Sequence, residues 1–585
     1  MSVVNIKNEI IAQIKKNLPD ALSDFELEIN IPQEAKMGDL SVACFGLSKI
    51  SKMPPDKIAA DLAGKISAKG GSASGGKSKY VEKVNNIGPY LNFFLKKKIW
   101  FKEVLDEVLS KKDKYGEENI GRGAKIVLEF SAPNTNKPQH LGHLRNNFLG
   151  TVMANLLSNQ GYQVIKANLI NDRGIHICKA MLAYQKWGDD KTPDTEKMKP
   201  DHFVGQYYVL FSEKVKDNPE LLDEAQKMLE KWEAGDSEIL SLWQTMNKWA
   251  IDGLQQTYKK FKIDFDYLYY ESDIYKSGKE IIFKALKSGL CYKRPDGAIE
   301  IDLTRDGLDK KVLIRADGTS VYVTQDIGLA KFRYNQFKPA KMLYVVASEQ
   351  DYHFKVLFRI LEIFGFDWVK TCYHFSYGMV FLPEGKMKSR EGTVVEADEI
   401  INKLEQLAKS EILGRDNTLS PAEVSARAET IALAAIKFYF LKFTPLQDVH
   451  FKPEESISFE GATGPYIQYT YARIQSILTK QPSNQATKQL VNFAALGNPE
   501  EVEILKSLFV FQNSIKQAVD SYNPAYLANY LLKLSQQFNE FYHKCPVLRA
   551  EGKNLVKGRL VLIQAVAQVL KNGLNLLGIN VLNKM

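Results

Sequence analysis

The spacing of apolar and polar positions divides the chain into stretches of different texture. The opening, MSVVNIKNEIIAQIKKNLPD, spaces its isoleucines as an amphipathic helix does and carries acids as well as lysines. Residues 1 to 115 mix short helical and strand patterns and end in NNIGPYLNFFLKKKIW, an apolar-aromatic strand followed by three lysines. SAKGGSASGGKSK, at 67–79, reads as a loop on its Gly and Ser content, and KKDKYGEENIGRG, at 111–123, as a linker. From 125 the texture alternates. KIVLEF predicts a buried strand, 144–159 a helix stopped by Gly161, and YQVIKANLI the next strand. Strand, helix and strand at this spacing form the parallel unit of a doubly wound α/β domain.

Residues 185–290 break that alternation with charged helical sequence such as NPELLDEAQKMLEKWEAGD, and are expected to be an insertion. KKVLIRADGTSVYVTQD then predicts a hairpin turning at Asp317-Gly318. KMLYVVAS reads as another buried strand, followed by the helix HFKVLFRILEIFGF. From 405 to 585 helical periodicity dominates, as in SARAETIALAAIKFYFLKF and KGRLVLIQAVAQVLKNGLNLLG. The expected architecture is therefore an α+β module at 1–115, an α/β domain at 116–404 and an all-α helical bundle at 405–585.

Composition narrows the setting. A chain of 585 residues is too long for one core, and 45% hydrophobic with 25% charged residues is a globular balance. No apolar run approaches a membrane-spanning length, and the N-terminus lacks the core of a signal peptide. The five cysteines (Cys44, Cys178, Cys291, Cys372, Cys545) are scattered and never in a CxxC pair. That argues for a reducing, cytoplasmic setting and against a zinc site or disulfide framework. A net charge of +9 is compatible with a polyanionic partner but does not require one.

The candidate chemistry begins at EFSAPNTNKPQHLGHLRNN, residues 129–147, where His140 and His143 flank Leu-Gly. They lie where a strand yields to a helix, the carboxyl edge of a parallel sheet, where such folds bind ligands. A helix N-terminus offers free N–H groups and positive potential, so two imidazoles there suit phosphate oxygens, and Gly142 lets a flat base approach. Simple helix capping by the pair is the competing reading. A metal reading needs further ligands that the neighbourhood lacks. A second stretch, GMVFLPEGKMKSREGTVV at 378–395, sets Lys386, Lys388 and Arg390 on a loop, either a solvated basic loop or a cationic clamp for nucleotide phosphates.

Together, HLGH and KMKSR resemble the HIGH and KMSKS signatures of class I aminoacyl-tRNA synthetases. The wider text resembles arginyl-tRNA synthetases over nearly the whole chain: EFSAPNTNKPQHLGHLRN, VYVTQDIGLAKFRY, GATGPYIQYTYARI, and PQEAKMGDLSVACF with GPYLNFF near the N-terminus. The resemblance implies a Rossmann-like catalytic domain between an N-terminal module and a helical anticodon-binding domain. It implies ATP and L-arginine as substrates, Mg²⁺ with the ATP, tRNA(Arg) as partner, no DNA or membrane partner, and a monomer. The reaction implied is attack of the arginine carboxylate on the α-phosphate of ATP, then transfer to the terminal ribose of tRNA, on the 2′-hydroxyl first.

The resemblance also assigns residues. His140, Gly142, His143, Met379, Val380, Lys386 and His353 fall on the ATP side. Glu129, Asn134, Tyr322, Asp326 and Gln350 fall on the arginine side, with Asp326 the favoured guanidinium partner. The second lysine of KMSKS is Ser389 here, while Lys388 stands one place early. In the family a lysine just before HIGH substitutes, which is Lys137, with Lys388 as the alternative donor. An aromatic is usual where Arg173 stands, so Asp172 and Gly174 carry over weakly. For tRNA the implied contacts are Tyr90 and Asn92 in the N-terminal module, and Tyr466, Tyr469 and Arg473, which share one helical face. The alternatives are another class I synthetase or small nucleotidyltransferase, and a non-catalytic tRNA-binding relative.

Overall fold

The computed structural model describes residues 2–19, 22, 25, 27–32, 34–68, 78–382, 385–386, 395–480 and 493–585. Of the Gly/Ser-rich stretch, 69–77 lie outside the described residues, as does Lys388. Among the described residues, no helix is long and apolar enough to cross a membrane.

The N-terminal module contains α1 (Ser2–Lys15), β1 (Ile29–Asn30), β2 (Leu40–Ala43), α2 (Phe45–Ser51), α3 (Pro55–Ala68), β3 (Val81–Ile87), β4 (Tyr90–Leu95) and α4 (Lys97–Lys111). Its four strands form an antiparallel sheet in the order β1-β2-β4-β3. Ile6, Ile10 and Ile14, at helical spacing on α1, are fully buried.

The central domain is built on β5 (Lys125–Glu129), α5 (Leu141–Asn159), β6 (Gln163–Ile170), α6 (Ile175–Trp187), α7 (Pro200–Asp217), α8 (Leu221–Ala234), α9 (Ser237–Phe261) and β7 (Tyr267–Tyr270). It continues through α10 (Glu271–Ile274), α11 (Ser277–Lys287), β8 (Tyr292–Lys293), β9 (Ile299–Ile301), β10 (Lys311–Ile314), α12 (Tyr322–Phe337), β11 (Lys341–Ala347), α13 (Asp351–Ile363) and β12 (Cys372–Tyr377). Five strands make a wholly parallel sheet in the order β12-β11-β5-β6-β7. Strand β5 shows four buried residues in succession, the pattern of a strand covered on both faces. The chain runs outward from β5 through β6 to β7, then restarts on the other side with β11. The topological switch therefore falls between β5 and β11, and ligands bind outside the carboxyl ends of strands at such a point.

Two expectations are revised here. Strand β7 lies inside the stretch read as an insertion, so the inserted helices are α7 to α9 and the chain re-enters the sheet at Tyr267. Four residues flanked by acids, with Tyr267 and Leu268 exposed at the sheet edge, carry too little apolar pattern to betray a strand. The hairpin at Asp317-Gly318 has only one bridge, Ile314 to Ser320, because Tyr322 already opens α12. The hairpin partner of β10 is β9, in a small antiparallel sheet.

After β12 come β13 (Val380–Leu382), β14 (Gly385–Lys386), α14 (Ala397–Arg415), α15 (Pro421–Leu441), β15 (Val449–His450), α16 (Pro453–Ser456), α17 (Gly464–Thr479), α18 (Pro499–Asp520), α19 (Ala525–Lys544) and α20 (Lys553–Leu576). The helices of this bundle pack on α5 and on the N-terminal module in one continuous core. Trp100 of α4 meets Phe509 at 6.0 Å, and Tyr115 donates to the Leu508 carbonyl.

Candidate active site at the mouth of α5

Between β5 and α5 the chain makes a costly turn. Ser131 and Ala132 both have positive φ, 80° and 47°, a region L-residues seldom adopt. Two buried amides hold them there. Asn146 Oδ1 accepts from Ser131 N at 2.5 Å, and Asn168 Oδ1 accepts from Ala132 N at 3.0 Å. Asn146 also donates to the Val345 carbonyl and to Tyr377, tying α5 to the ends of β11 and β12. Asn134 then bridges Asn171, beyond the end of β6. This over-determined turn is the physical reason the histidines sit above the switch point.

His140 is the N-cap of α5, in extended backbone. Its Nδ1 accepts from Gly142 N at 3.1 Å, and His143 Nδ1 accepts from His140 N at 3.1 Å, a reciprocal capping box made by two imidazoles. The capping reading is therefore part of the answer, and it has a chemical consequence. An Nδ1 that accepts cannot carry the proton, so in the neutral ring the proton is on Nε2. Burial, then neighbouring Lys137, pushes His140 down to about 3, and burial, His140 and Lys137 hold His143 well below the ordinary range. Both rings are neutral near pH 7. The ring centroids are 3.9 Å apart, so the pair forms one compact donor unit. Lys137 stands close enough to act on both.

On the amino-acid side the acids divide. Glu129, at the end of β5, is buried against the chain's own Arg333, whose guanidinium lies 4.6 Å from the Tyr269 ring centre. Its charge is largely spent inside the protein. Asp326, in the second turn of α12 rather than at its cap, accepts from or pairs with His353 Nε2 at 2.6 Å, which links α12 to α13. His353 is thus engaged with the arginine-side acid. Tyr322, one helical turn before Asp326, is 69% exposed, and Gln350 is exposed ahead of α13.

Tyr322 lines a cavity of about 700 Å³ with Arg173, Glu233, Glu271, Tyr275 and Gln325. Arg173 is held by Glu233 at 2.5 Å and lies 4.1 Å from the Tyr275 ring centre. Burial pushes the Glu271 carboxyl up to about 7, against the pull of Arg173 and with Asp172 and Asp326 adding to the rise. Sequence reasoning missed Glu271 and the packing role of Arg173. The acid of YYES, at a strand-to-helix junction, was the available signal.

Met379 and Val380 enter the strand that leads to Lys386, and Val380 is buried where β13 pairs with β15. Phe381 pairs with Lys386 across β13 and β14. Nothing in the sequence suggested the role of Arg145. It is fully buried and donates to four carbonyls: Gly378 at 2.6 Å, Met379 at 3.1 Å, Pro445 at 2.9 Å and Gln447 at 2.6 Å. One guanidinium thus ties α5 both to the strand approaching Lys386 and to the chain beyond α15.

Among the described residues, Asp201, His202 and Asp398 are spaced as a metal group would be, but the Lys199 ammonium lies 2.7 Å from Asp398 and 3.1 Å from Asp201. A cation is already there.

The residues implied for tRNA differ in access. Tyr90 is half-buried, edge-on to the 48%-exposed Phe45 at 5.8 Å. Asn92 is fully buried, accepting from Ser41 Oγ at 2.9 Å, so it lies beneath this surface rather than on it. On α17, Tyr466 accepts from Asn539, while Arg473 donates to Asn539 and covers the Tyr469 ring at 4.8 Å. Arg415 approaches the same ring at 5.6 Å.

Three family models match the chain: tRNA synthetases class I (R), catalytic domain, over 104–452; the DALR anticodon binding domain over 467–585; and the arginyl tRNA synthetase N terminal domain over 5–95. The chain is 45% identical to the arginine–tRNA ligase of Treponema denticola, over 95% of this chain and 94% of that one. It is 41% identical to the Parabacteroides distasonis ligase over 99% of each. Among solved structures it is similar to Thermus thermophilus arginyl-tRNA synthetase, at 25% identity and a TM-score of 0.80, over 99% of this chain and 100% of that one.

Proposed function

The chain belongs to the arginyl-tRNA synthetase family and is an arginine–tRNA ligase, and on that premise we propose how its own residues divide the work. ATP, arginine and tRNA are its substrates. In the first step a carboxylate oxygen of arginine attacks the α-phosphorus, that bond forms as the bond to pyrophosphate breaks, and arginyl-adenylate results. In the second, a ribose hydroxyl of the tRNA terminus attacks the acyl carbon and AMP leaves.

The observation that carries the reading is the pair of neutral, Nδ1-capped imidazoles. Their Nε2–H groups are preorganised donors for phosphate oxygens where charge grows in the transition state. Lys137 adds a cation beside them and stands in for the lysine replaced by Ser389. Lys388 is the alternative to Lys137 in that role, and Lys386 is the loop's cation. Mg²⁺ arrives with ATP as part of the substrate. Gly142, Met379 and Val380 form the nucleotide side, and His353, assigned to that side by the resemblance, holds Asp326 on the arginine side.

Asp326 takes the guanidinium, with Tyr322 along the stem and Asn134 and Gln350 on the polar groups. Glu129 contributes only the potential left over from Arg333. Asp326→Asn keeps the shape and removes the charge, so KM for arginine is expected to rise about 10- to 100-fold, the worth of a charge-assisted contact. Pyrophosphate exchange over a range of arginine concentrations reads this, and an unchanged KM excludes Asp326 as the partner.

For tRNA, the exposed edge of Tyr90 with Phe45 supports stacking by an outer-corner base, and Asn92 supports the platform from below. Tyr469 and Arg473, with Tyr466 behind them, favour an anticodon contact. Losing a stacked base costs about 1–3 kcal/mol, so Tyr90→Ala should raise KM for tRNA roughly tenfold without affecting KM for ATP. Equal KM values for tRNA would remove Tyr90 from the interface. The protein works as a monomer in the cytoplasm. Exchange of pyrophosphate into ATP that requires arginine, measured with and without tRNA(Arg), tests the whole reading. No exchange with arginine even when tRNA is added would overturn it.

A further inference from the structure

The chain returning from the lysine-bearing segment re-enters the described structure at Val395 and lies directly on the α5 mouth. Val395 O accepts from Leu141 N at 3.4 Å, Glu396 bridges His140, and Ala397 N donates to Gln139 O at 2.8 Å. The side chains of Glu396 and Asp398 reach α7. His202 Nδ1 lies 2.8 Å from Glu396 Oε2, and its Nε2 lies 3.1 Å from Asp398 Oδ2. One imidazole therefore spans two carboxylates, at the N-cap and in the first turn of α14.

The charged groups around it, Lys199 and Asp201 from the start of α7 and Glu396 and Asp398 from α14, are a net anionic cage before the imidazole is counted. Burial alone would lower His202, but Asp398 and Glu396 outweigh it and push it up to about 10. For Asp398, burial would raise the carboxyl, yet His202 and Lys199 bring it to about 2. The ring is a cation throughout the neutral range.

A second contact on the same helix points to the same place. Gly205, one turn after His202, lies so close to Pro138 that a Cβ there would sit 2.8 Å from Pro138 Cδ. Positions three apart share a helix face. That face of α7 therefore meets both flanks of the α5 mouth, the KPQ turn before His140 and the returning segment after it.

We propose that His202 is a positioning residue for the reaction: from the inserted helix α7 it holds Glu396 and Asp398, and through the main chain at 395–397 it fixes where His140 presents its Nε2–H. The inference rests on the reading of HLGH as the phosphate-binding site. It assigns the insertion a part in amino-acid activation that none of its residues performs by touching substrate.

The test is pyrophosphate exchange in the full chain with saturating tRNA, comparing His202→Ala, His202→Arg and Glu396→Gln. His202→Ala is expected to lower kcat about 5- to 10-fold with KM for arginine unchanged, since the arginine side does not contact this cage. His202→Arg restores a cation able to reach two carboxylates and should recover most of the loss. Glu396→Gln, which leaves α7 untouched, should show the same split, and combining it with His202→Ala should cost no more than the larger single change. Activity within twofold of wild type in His202→Ala, a loss that Arg does not restore, or additive losses would overturn the proposal. Should His202→Ala fail to fold, Glu396→Gln and His202→Arg decide it alone. A parallel His143→Asn protein separates the two claims: if it too is fully active, the phosphate-site reading fails, whereas its loss beside an active His202→Ala sinks only the positioning role.

Discussion

His143→Asn is expected to lower kcat for arginine-dependent pyrophosphate exchange by about 10²- to 10³-fold, the loss seen when one preorganised donor is removed from a charge-stabilising site. The choice of asparagine is what makes the result informative. Its amide oxygen falls near the place of Nδ1, so it can still accept from His140 N and keep the helix capped. What disappears is the donor at Nε2. Melting temperature should therefore hold, and tRNA affinity with it. His143→Ala removes cap and donor together and should add a stability loss of about 1 kcal/mol. If the histidines only cap the helix, asparagine would be nearly silent and alanine would show just that small loss of stability.

The same arrangement makes a statement about pH. With His140 lowered to about 3 by burial and Lys137, and His143 held well below the ordinary range by burial, His140 and Lys137, neither ring titrates in the folded protein between pH 5 and 8. The exchange rate should show no histidine step near 6.5 from this pair. Stability carries the complementary signature. The unfolded histidines bind protons below about 6.5 while the folded ones do not, so their contribution is full above that pH and declines as pH falls toward 3.

Arg145→Met should be strongly destabilising, costing about 2–4 kcal/mol, because it strands the Gly378 and Gln447 carbonyls, whereas those of Met379 and Pro445 still accept from Val449 N and Gly378 N. The midpoint of the first unfolding transition in urea reads it. Arg145→Lys keeps the charge but not the planar fork, and a single ammonium cannot serve two carbonyl pairs on segments so far apart in sequence. It should recover only part of the loss. A change below about 1 kcal/mol for Arg145→Met would mean the segments at 378–379 and 445–447 are held by other contacts.

Arg145 also shows where the sequence stops being legible. HLGH could be placed at a sheet edge because β5, α5 and β6 announce themselves locally, through apolar runs and the Gly161 stop. The following Arg145-Asn146-Asn147 reads as a polar helix surface by the same rules, yet all three are buried. Asn147 donates to nearby Gln139, but the acceptors of Arg145 and of the Asn146 amide nitrogen come from more than 190 residues away, which no local period reports. His202 and Glu271 escaped for the same reason. Glu129 and Asn92 illustrate the converse: motif position marked them, but only packing reveals that Arg333 and Ser41 already engage them. Asp326 and Tyr322 are marked by the resemblance and not by the local pattern, which predicts a hairpin strand at Tyr322; the structure instead sets the two one turn apart on α12.

The most direct test of the account is a structure of the protein with arginine and a non-hydrolysable ATP analogue bound. Phosphate oxygens are expected within hydrogen-bond reach of Nε2 of both His140 and His143, at the mouth of α5, and the guanidinium within reach of Asp326 and Tyr322. An analogue whose phosphates lie away from those nitrogens, or a guanidinium turned away from Asp326, would contradict it.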